Sequence, residues 1–587
     1  MFPIFAICIV LVSSAFAQVS LPVLDHIATF SQLSSYLEAH TKGAVRPVTE
    51  SFVAFQINHK LKQAVPILPE PNPDFIHSLF ETDVIKMIQN AGTVDFVSAK
   101  KNYYKSQVLN RRTQQFSRSY VYPSDWHSLN HNPIKKIDLP LEVYGEHFQP
   151  LEPGLIDQSP LLDVNLHRKL DQMTATEMTA GNKLHLLNNG EFSFREKVRM
   201  VKESKRFFHA VVMVQYCDES SSEIVNAMID KARAGVDVRL MTESVWTNII
   251  LKKCLAKLRN GGVKVTLGKG FFNPRTMFTV HHTKFWIRDG EEAIIGGQNM
   301  HDFENRSNGF NNFTRDKDVH VVGPAVTDLL REYVRIWNHE QVEPDPTMTQ
   351  YLDVVKLKEA AERAQGLRGK DLYEQWLAKP AEEIPGVCRV LVQGTKTSSS
   401  PQIITKSYIE IMKNVKYSMI INTPTLRYKE DSKNDLDNSQ IIKTIYQASK
   451  KGVNVNLISN GVDGGWGDAG HQLRQLSLKL RRSGRISLAL MIEKLDKITA
   501  TLIGRANRKN LMKAFKGSEV DMWLYFNHIH SKQMSFDHIM TSTGSFNLDK
   551  HSHKNHESTM ICLDKTLADE SLVAFVSDIV NSTPVIQ

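Results

Sequence analysis

The stretch HHTKFWIRDGEEAIIGGQN, residues 281–299, sets a His and a Lys two apart, an Asp five further on and a Gly-Gly-x-Asn at its close. One copy alone would pass for an edge strand with a polar face. Residues 530–547, HSKQMSFDHIMTSTGSFN, repeat the spacing with His530, Lys532, Asp537, Gly544, Ser545 and Asn547. Two hairpins kept only for packing would not hold six chemically costly positions at identical intervals, so the copies share a chemical cause. Side chains alternate along a strand, so His282 and Lys284 share a face, as do His530 and Lys532. A fixed ammonium beside an imidazole suits a phosphate: the Lys supplies charge to its oxygens while the His attacks or donates a proton. Gly296-Gly297 and Gly544-Ser545 let the backbone approach the anion, and Asn299 and Asn547 supply amides. With two copies, one His can attack phosphorus while the other protonates the leaving oxygen.

The repeat extends upstream of each motif. HAVVMVQYC (209–217) reads as a buried strand, followed by a helix with Ile224, Val225, Met228, Ile229 and Ala232 on one face, Gly235 as its C-cap and the strand VDVRLM. YSMIINTP (417–424), a helix bearing Ile441, Ile442, Ile445 and Ala448, Gly452 and VNVNLI follow the same order. Each is a strand-helix-strand unit with a right-handed parallel crossover. The Gly452-to-His530 interval is 78 residues against 47 from Gly235 to His282, so the second half carries an insertion.

A chain of 587 residues exceeds one ordinary core. Residues 1–17, a short apolar run closing on Ala15-Phe16-Ala17, are expected to be a secretory signal, too short to span a bilayer. The other expected divisions are an accessory region at 18–180, a first half at 181–345, a helical connection at 346–386 and a second half at 387–587. No later segment reaches spanning length, so the mature chain is expected to be secreted or periplasmic, soluble or peripheral to a membrane. Cys217, Cys254, Cys388 and Cys562 form no C-x-x-C pair, and their pairing in an exported protein stays open. Asn305, Asn312 and Asn581 each begin an N-x-S/T triplet.

The formal charge of +9 points to an anionic partner. Between Arg474 and Lys516, inside the insertion, twelve Lys or Arg face only Glu493 and Asp496, enough to account for the whole imbalance. Leu488, Met491, Ile492, Leu495 and Leu502 fall near one helical face there, suiting contact with anionic lipid, although packing on a core is the commoner fate of such a stripe. The loop GVDGGWGDAG reads equally as a lid with Trp466 at its tip or as a plain surface loop. A zinc site has many imidazoles to draw on, from His528 through His538, His551, His553 and His556. It lacks H-E-x-x-H or paired Cys, and a Lys neighbour disfavours a cation.

The doubled H-x-K-x4-D-x6-G-[GS]-x-N resembles the phospholipase D superfamily, in the branch of bacterial phospholipases D and cardiolipin synthases. The similarity covers about residues 185–345 and 388–580. The resemblance implies an internally duplicated α/β molecule: two mixed-sheet halves related by a pseudo-twofold axis, one shared active site, and no cofactor or metal. It further implies that His282 is a nucleophile forming a phosphohistidine, and that His530 protonates the departing alcohol. Lys284, Lys532, Asn299 and Asn547 would hold phosphoryl oxygens, with Gly297 and Ser545 at the substrate. Asp289 and Asp537 belong to the motifs but are expected to support strand geometry. A separate acid further along would orient each His: Asp316, with Asp318 as fallback, and Glu557.

A phospholipid is the first-choice substrate, with an anionic membrane surface as partner. Export favours hydrolysis; the alternative is cardiolipin synthase-type transfer to an alcohol, for which the same phosphohistidine serves. A nuclease of the same superfamily is a weaker reading, because bacterial ones usually carry one motif per chain and dimerise, whereas two copies in one chain imply a monomer. An inactive phosphate-binding protein is weaker still, since both copies keep all six positions.

Overall fold

The computed structural model describes residues 151–585 except for internal stretches, the longest being 244–251, 269–279, 306–313, 395–401, 427–437 and most of 461–511. The expected signal, most of the accessory region, Trp466 and most of the basic insertion lie outside the described residues. In chain order α1 (Pro153–Ile156) and α2 (Val164–Thr174) come first, the latter capped by Asp163 accepting from Asn165 N. The first half then runs β1 (Lys183–Leu187), α3 (Gly190–Glu203), β2 (Phe207–Val211), α4 (Ser221–Arg233), β3 (Asp237–Glu243), α5 (Lys252–Asn260) and β4 (Lys264–Gly268). It continues with β5 (Phe285–Arg288), β6 (Glu292–Gly296), α6 (Asp302–Asn305), β7 (Thr314–Arg315), β8 (Asp318–Val322) and α7 (Ala325–Glu340). Two helices follow, α8 (Pro346–Ala364) and α9 (Asp371–Trp376). The second half is β9 (Val387–Gln393), α10 (Ile403–Asn414), β10 (Ser418–Asn422), α11 (Asn438–Lys450), β11 (Asn454–Asn460), β12 (Asp521–Tyr525), β13 (His528–Ile529), β14 (Gln533–Phe536), β15 (Met540–Gly544), β16 (Glu557–Leu563), α12 (Lys565–Val580) and β17 (Ser582–Val585).

The sheets repeat one another strand for strand. The first has seven strands in the order β4-β3-β2-β5-β6-β8-β1, and the second runs β12-β11-β10-β14-β15-β16-β9, with β17 added beyond β12 as an eighth. In both, three parallel strands adjoin an antiparallel set. The crossovers are those expected: β2-α4-β3 turns at Gly235 (φ +88°) and β10-α11-β11 at Gly452 (φ +89°), the left-handed position that glycine occupies without strain. The fold is therefore an internally duplicated α/β structure of two mixed sheets with flanking helices.

One face of each sheet is closed against the other half. Val390 and Val392 of β9 and Met560 of β16 share a core with Ile287, Ile295, Val319 and the α7 residues Leu329, Tyr333 and Trp337. Met348, Tyr351 and Val355 of α8 join that core, so this helix of the connecting segment packs with the first half. Ile156, Leu166 and Leu170 pack instead with the second half, beside Tyr408, Ile411 and Met419. The cysteines pair as Cys217–Cys254 and Cys388–Cys562, the latter across adjacent strands β9 and β16. Asn305 is buried and its amide donates to Ser221 Oγ (2.9 Å), so the first of the three glycosylation triplets is closed in the folded chain; the other two asparagines lie outside the described residues.

Candidate active site

The heads of the two motifs do not start inside the sheets. Residues 281–284 precede β5 and 530–532 precede β14, and both segments run alongside the opposite half before entering their own sheet. His281 bridges His556 in parallel, while β13 pairs in parallel with β7, His528 facing Thr314 and Ile529 facing Arg315. These two short ladders are each other's image under the pseudo-twofold relation. His282 N donates to His556 O (2.9 Å) and His530 N to Arg315 O (2.7 Å).

The residue after each of those carbonyls is an acid. His282 Nδ1 lies 2.9 Å from Glu557 Oε2, and His530 Nδ1 lies 2.8 Å from Asp316 Oδ2. Asp316 and Glu557 were expected to orient the histidines, and they do so crosswise: each half's acid holds the other half's His. The cross-half ladder causes this, because it sets each His beside the residue preceding the opposite acid. A carboxylate on Nδ1 leaves the Nε2 lone pair of a neutral imidazole free to act. Asp318, the fallback, is occupied elsewhere: it pairs with Lys197 Nζ (2.7 Å), accepts from Gly297 N (2.8 Å) and is bonded by Ser193.

Lys284 Nζ donates to His282 O (2.8 Å) and Lys532 Nζ to His530 O, anchoring each ammonium beside its own imidazole. Burial pushes the His282 pKa down; the charge of Glu557 opposes this, and those of Lys284 and Lys532 reinforce it. The lysines of both halves therefore act on one histidine, and the motifs converge on a single site. A neutral, buried His282 has the lone pair that a nucleophile needs.

Asp289 and Asp537, counted with the catalytic positions, lie at the far ends of the β5–β6 and β14–β15 hairpins. Asp289 accepts from the backbone N–H groups of Lys205, Arg206 and Phe207, and Asp537 from those of Lys416, Tyr417 and Ser418. Each ties its hairpin to the entry of the neighbouring strand and touches neither His.

The substrate-side expectations for Gly297 and Ser545 also change. These equivalent residues back the acids. A Cβ on Gly297 would lie 2.6 Å from Asp316 Oδ1, whereas Ser545 Oγ donates to Glu557 Oε2 (2.5 Å) and accepts from Ser558 N (3.0 Å). The Ser545 hydroxyl is thus committed to the acid that holds His282 and not to a phosphate. Asn299 and Asn547 follow β6 and β15. The Asn299 amide Nδ2 donates to Glu304 Oε1 (3.2 Å), and Glu304 also accepts from Asn299 N. Asn547 N donates to Ser552 Oγ (3.0 Å). Both Asn side-chain oxygens are buried without a hydrogen bond. Glu304 is a site residue that sequence reasoning missed; its signal was a Glu five residues after the first motif's Asn where the second copy has Ser552.

Three groups of side chains lie close enough to share an ion among the described residues. In His281, Glu340 and His556 the imidazoles stack at 3.8 Å with planes 19° apart, a geometry in which both rings cannot aim a lone pair at one metal. Glu196, Glu292 and His320 form an ion-pair cluster with Arg199, which lies 2.7 Å from Glu292. Glu304, Asp316 and His530 surround the site, but His530 Nδ1 is already engaged by Asp316. Of the other described histidines, His538 accepts from Leu151 N (3.3 Å) while His553 meets Thr405 Oγ1 (2.7 Å).

A family model described as "Cardiolipin synthase, PLD-like domain" matches residues 198–336 and 408–579, more than half of the chain. Cardiolipin synthase 1 of Bacillus cereus is 28% identical over 156 residues, 26% of this chain and 30% of that protein. Cardiolipin synthase of Clostridium perfringens is 23% identical over 289 residues, 48% of this chain and 53% of that protein. The matches thus span from under a third to about half of these relatives' length. Among solved structures, phosphatidylserine synthase from Haemophilus influenzae aligns at a TM-score of 0.48 and 11% identity, over 72% of this chain and 92% of that one.

Proposed function

Because this chain belongs to the cardiolipin synthase, PLD-like domain family of the phospholipase D superfamily, we propose that it transfers a phosphatidyl group through a phosphohistidine on His282, with an alcohol as the preferred acceptor. The observation that carries the reading is the reciprocal pair of cross-half contacts, His282 on Glu557 and His530 on Asp316. His282 Nε2 attacks phosphorus and the P–O bond to the first alcohol breaks, with His530 supplying the proton that alcohol needs. His530 then takes the proton of the incoming hydroxyl as its oxygen displaces His282. Lys284 and Lys532 stabilise the charge gathering on the phosphoryl oxygens. An exported chain was expected to use water as acceptor; the names of the two relatives reported above, both cardiolipin synthases, shift the reading to an alcohol.

Two further parts of the proposal have independent support. Pairing of all four cysteines among the described residues fits an oxidising, exported location. The exposure of Leu488 (40%) and Met491 (51%), inside the basic insertion, favours a lipid surface over core packing for these two side chains.

Mass spectrometry of the products formed from phosphatidylglycerol vesicles in EDTA, beside a His282→Ala control, tests the reading. Cardiolipin with released glycerol, absent in the control, is the expected result. Phosphatidic acid alone would return the acceptor to water, and unchanged lipid would remove lipids as substrate and send the preparation to DNA.

A further inference from the structure

Within the motifs the halves differ beside the site at Gly297 and Ser545, and just beyond the motifs they differ again. Five residues after each motif's Asn stands a side chain that accepts that Asn's backbone N–H: Ser552 Oγ for Asn547 and the Glu304 carboxylate for Asn299. Only the first of these acceptors carries a charge. Glu304 also lies near the second half's histidine, with Oε1 3.6 Å from His530 Nδ1. His530 thus faces two carboxylates, Asp316 at 2.8 Å and Glu304 at 3.6 Å, where His282 is held by Glu557 at 2.9 Å. Glu304 also meets His301, at 3.4 Å, and Lys532, and the Asp316 carboxylate lies within 4.8 Å of it in the same cluster.

We propose that Glu304 is a positioning residue that commits His530 to proton donation, by placing a second carboxylate beside its imidazolium while orienting the Asn299 amide. This rests on the phosphohistidine reading above and deepens it: the fold is pseudo-symmetric, and a nearly symmetric pair of histidines needs something to decide which attacks and which donates. Burial would raise the Glu304 pKa, yet attraction to His530, His301 and Lys532 holds it well below the usual carboxylate range. The geometry acts in the same sense, since a carboxylate 3.6 Å from His530 Nδ1 attracts the positive charge that the ring carries while it acts as proton donor. The amide orientation follows from the same carboxylate, since only the Nδ2 end of Asn299 can face it favourably.

The test compares two esters. Phosphatidylglycerol expels an alkoxide that needs a proton, whereas a p-nitrophenyl phosphatidyl ester expels a phenolate that leaves without one. Glu304→Gln removes the charge but keeps an acceptor for Asn299. It is expected to lose about tenfold or more in kcat on phosphatidylglycerol and under about threefold on the aryl ester. Asn299→Ala, which removes the amide proposed to hold a phosphoryl oxygen, loses on both esters alike. Equal losses in Glu304→Gln on both esters, or no loss on either, would overturn the proposal while leaving the phosphohistidine reading intact. A wild-type chain inactive on both esters would overturn that reading and this one with it.

Discussion

His282 and His530 occupy the same place in the same motif, and their neighbours make them different. His282 is buried beside two lysines and one carboxylate, and burial depresses its pKa. Glu557→Gln is therefore expected to cut kcat by roughly 10²- to 10⁴-fold, because the amide no longer fixes the tautomer or steadies the charge on His282. Ser545→Gly, which gives the second half the residue of the first, removes one hydrogen bond to Glu557 and is expected to cost under about tenfold. Steady-state kinetics on folded variants checks both. At this scale the motif spacing makes His282, Lys284, His530 and Lys532 legible in the sequence itself. It did not make the crossing of Asp316 and Glu557 legible, since reading along a chain assigns each acid to the motif it follows, and only the cross-half ladders exchange them. The Ser545 hydroxyl was misplaced for a similar reason: its partner is Glu557, twelve residues on and across the strand pair.

Among the elements, the two hairpins show why each motif contains an Asp. Both turns place consecutive residues at positive φ, Asp289 (+53°) with Gly290 (+67°) and Asp537 (+47°) with His538 (+54°), as a tight turn matching the twist of the strands requires. Asp tolerates that conformation, and its carboxylate then reaches three backbone donors of the adjoining strand. Asp289→Asn keeps the shape but loses the charge and half the acceptors. It is expected to destabilise by about 2 kcal/mol, read as a lower Tm, while kcat of the folded fraction stays within about threefold of wild type. A kcat collapse without a Tm change would place Asp289 at the chemistry after all. The crossover units were legible from apolar periodicity and their capping glycines. The helices α1 and α2 were not, because they carry no repeat counterpart and are bound to the second half only through long-range packing of Ile156, Leu166 and Leu170.

Across the whole molecule, Cys388–Cys562 links strands separated by 174 residues of sequence, and Cys217–Cys254 closes a stretch of 37. Cys388→Ala with Cys562→Ala is expected to remove about 2–5 kcal/mol of stability, seen as a lower denaturant midpoint. Acid should weaken the fold as well. Burial drives the pKa of His167 and His209 down to about 4 and that of His538 to about 3, below the ordinary value of 6.5. The unfolded chain then binds more protons than the folded one between 6.5 and those values, so stability is full above pH 6.5 and is lost as pH falls through that window, at roughly 1.4 kcal/mol per unit for each histidine. Asp564, pushed up to about 6 by burial, works the other way, as do the raised His185, Asp171 and Glu332, while the depressed His282, Glu292, Glu304 and Asp318 add to the loss. Denaturant melts at pH 7.5 and 5 check the sign. The crossed contacts, finally, bear on time. Translation delivers His282 long before Glu557, and no folding of the first half by itself can supply that carboxylate. A nascent chain halted or clipped anywhere between the two motifs would display an intact first copy whose His282 lacks its carboxylate, so the paired site exists only once both halves have been made.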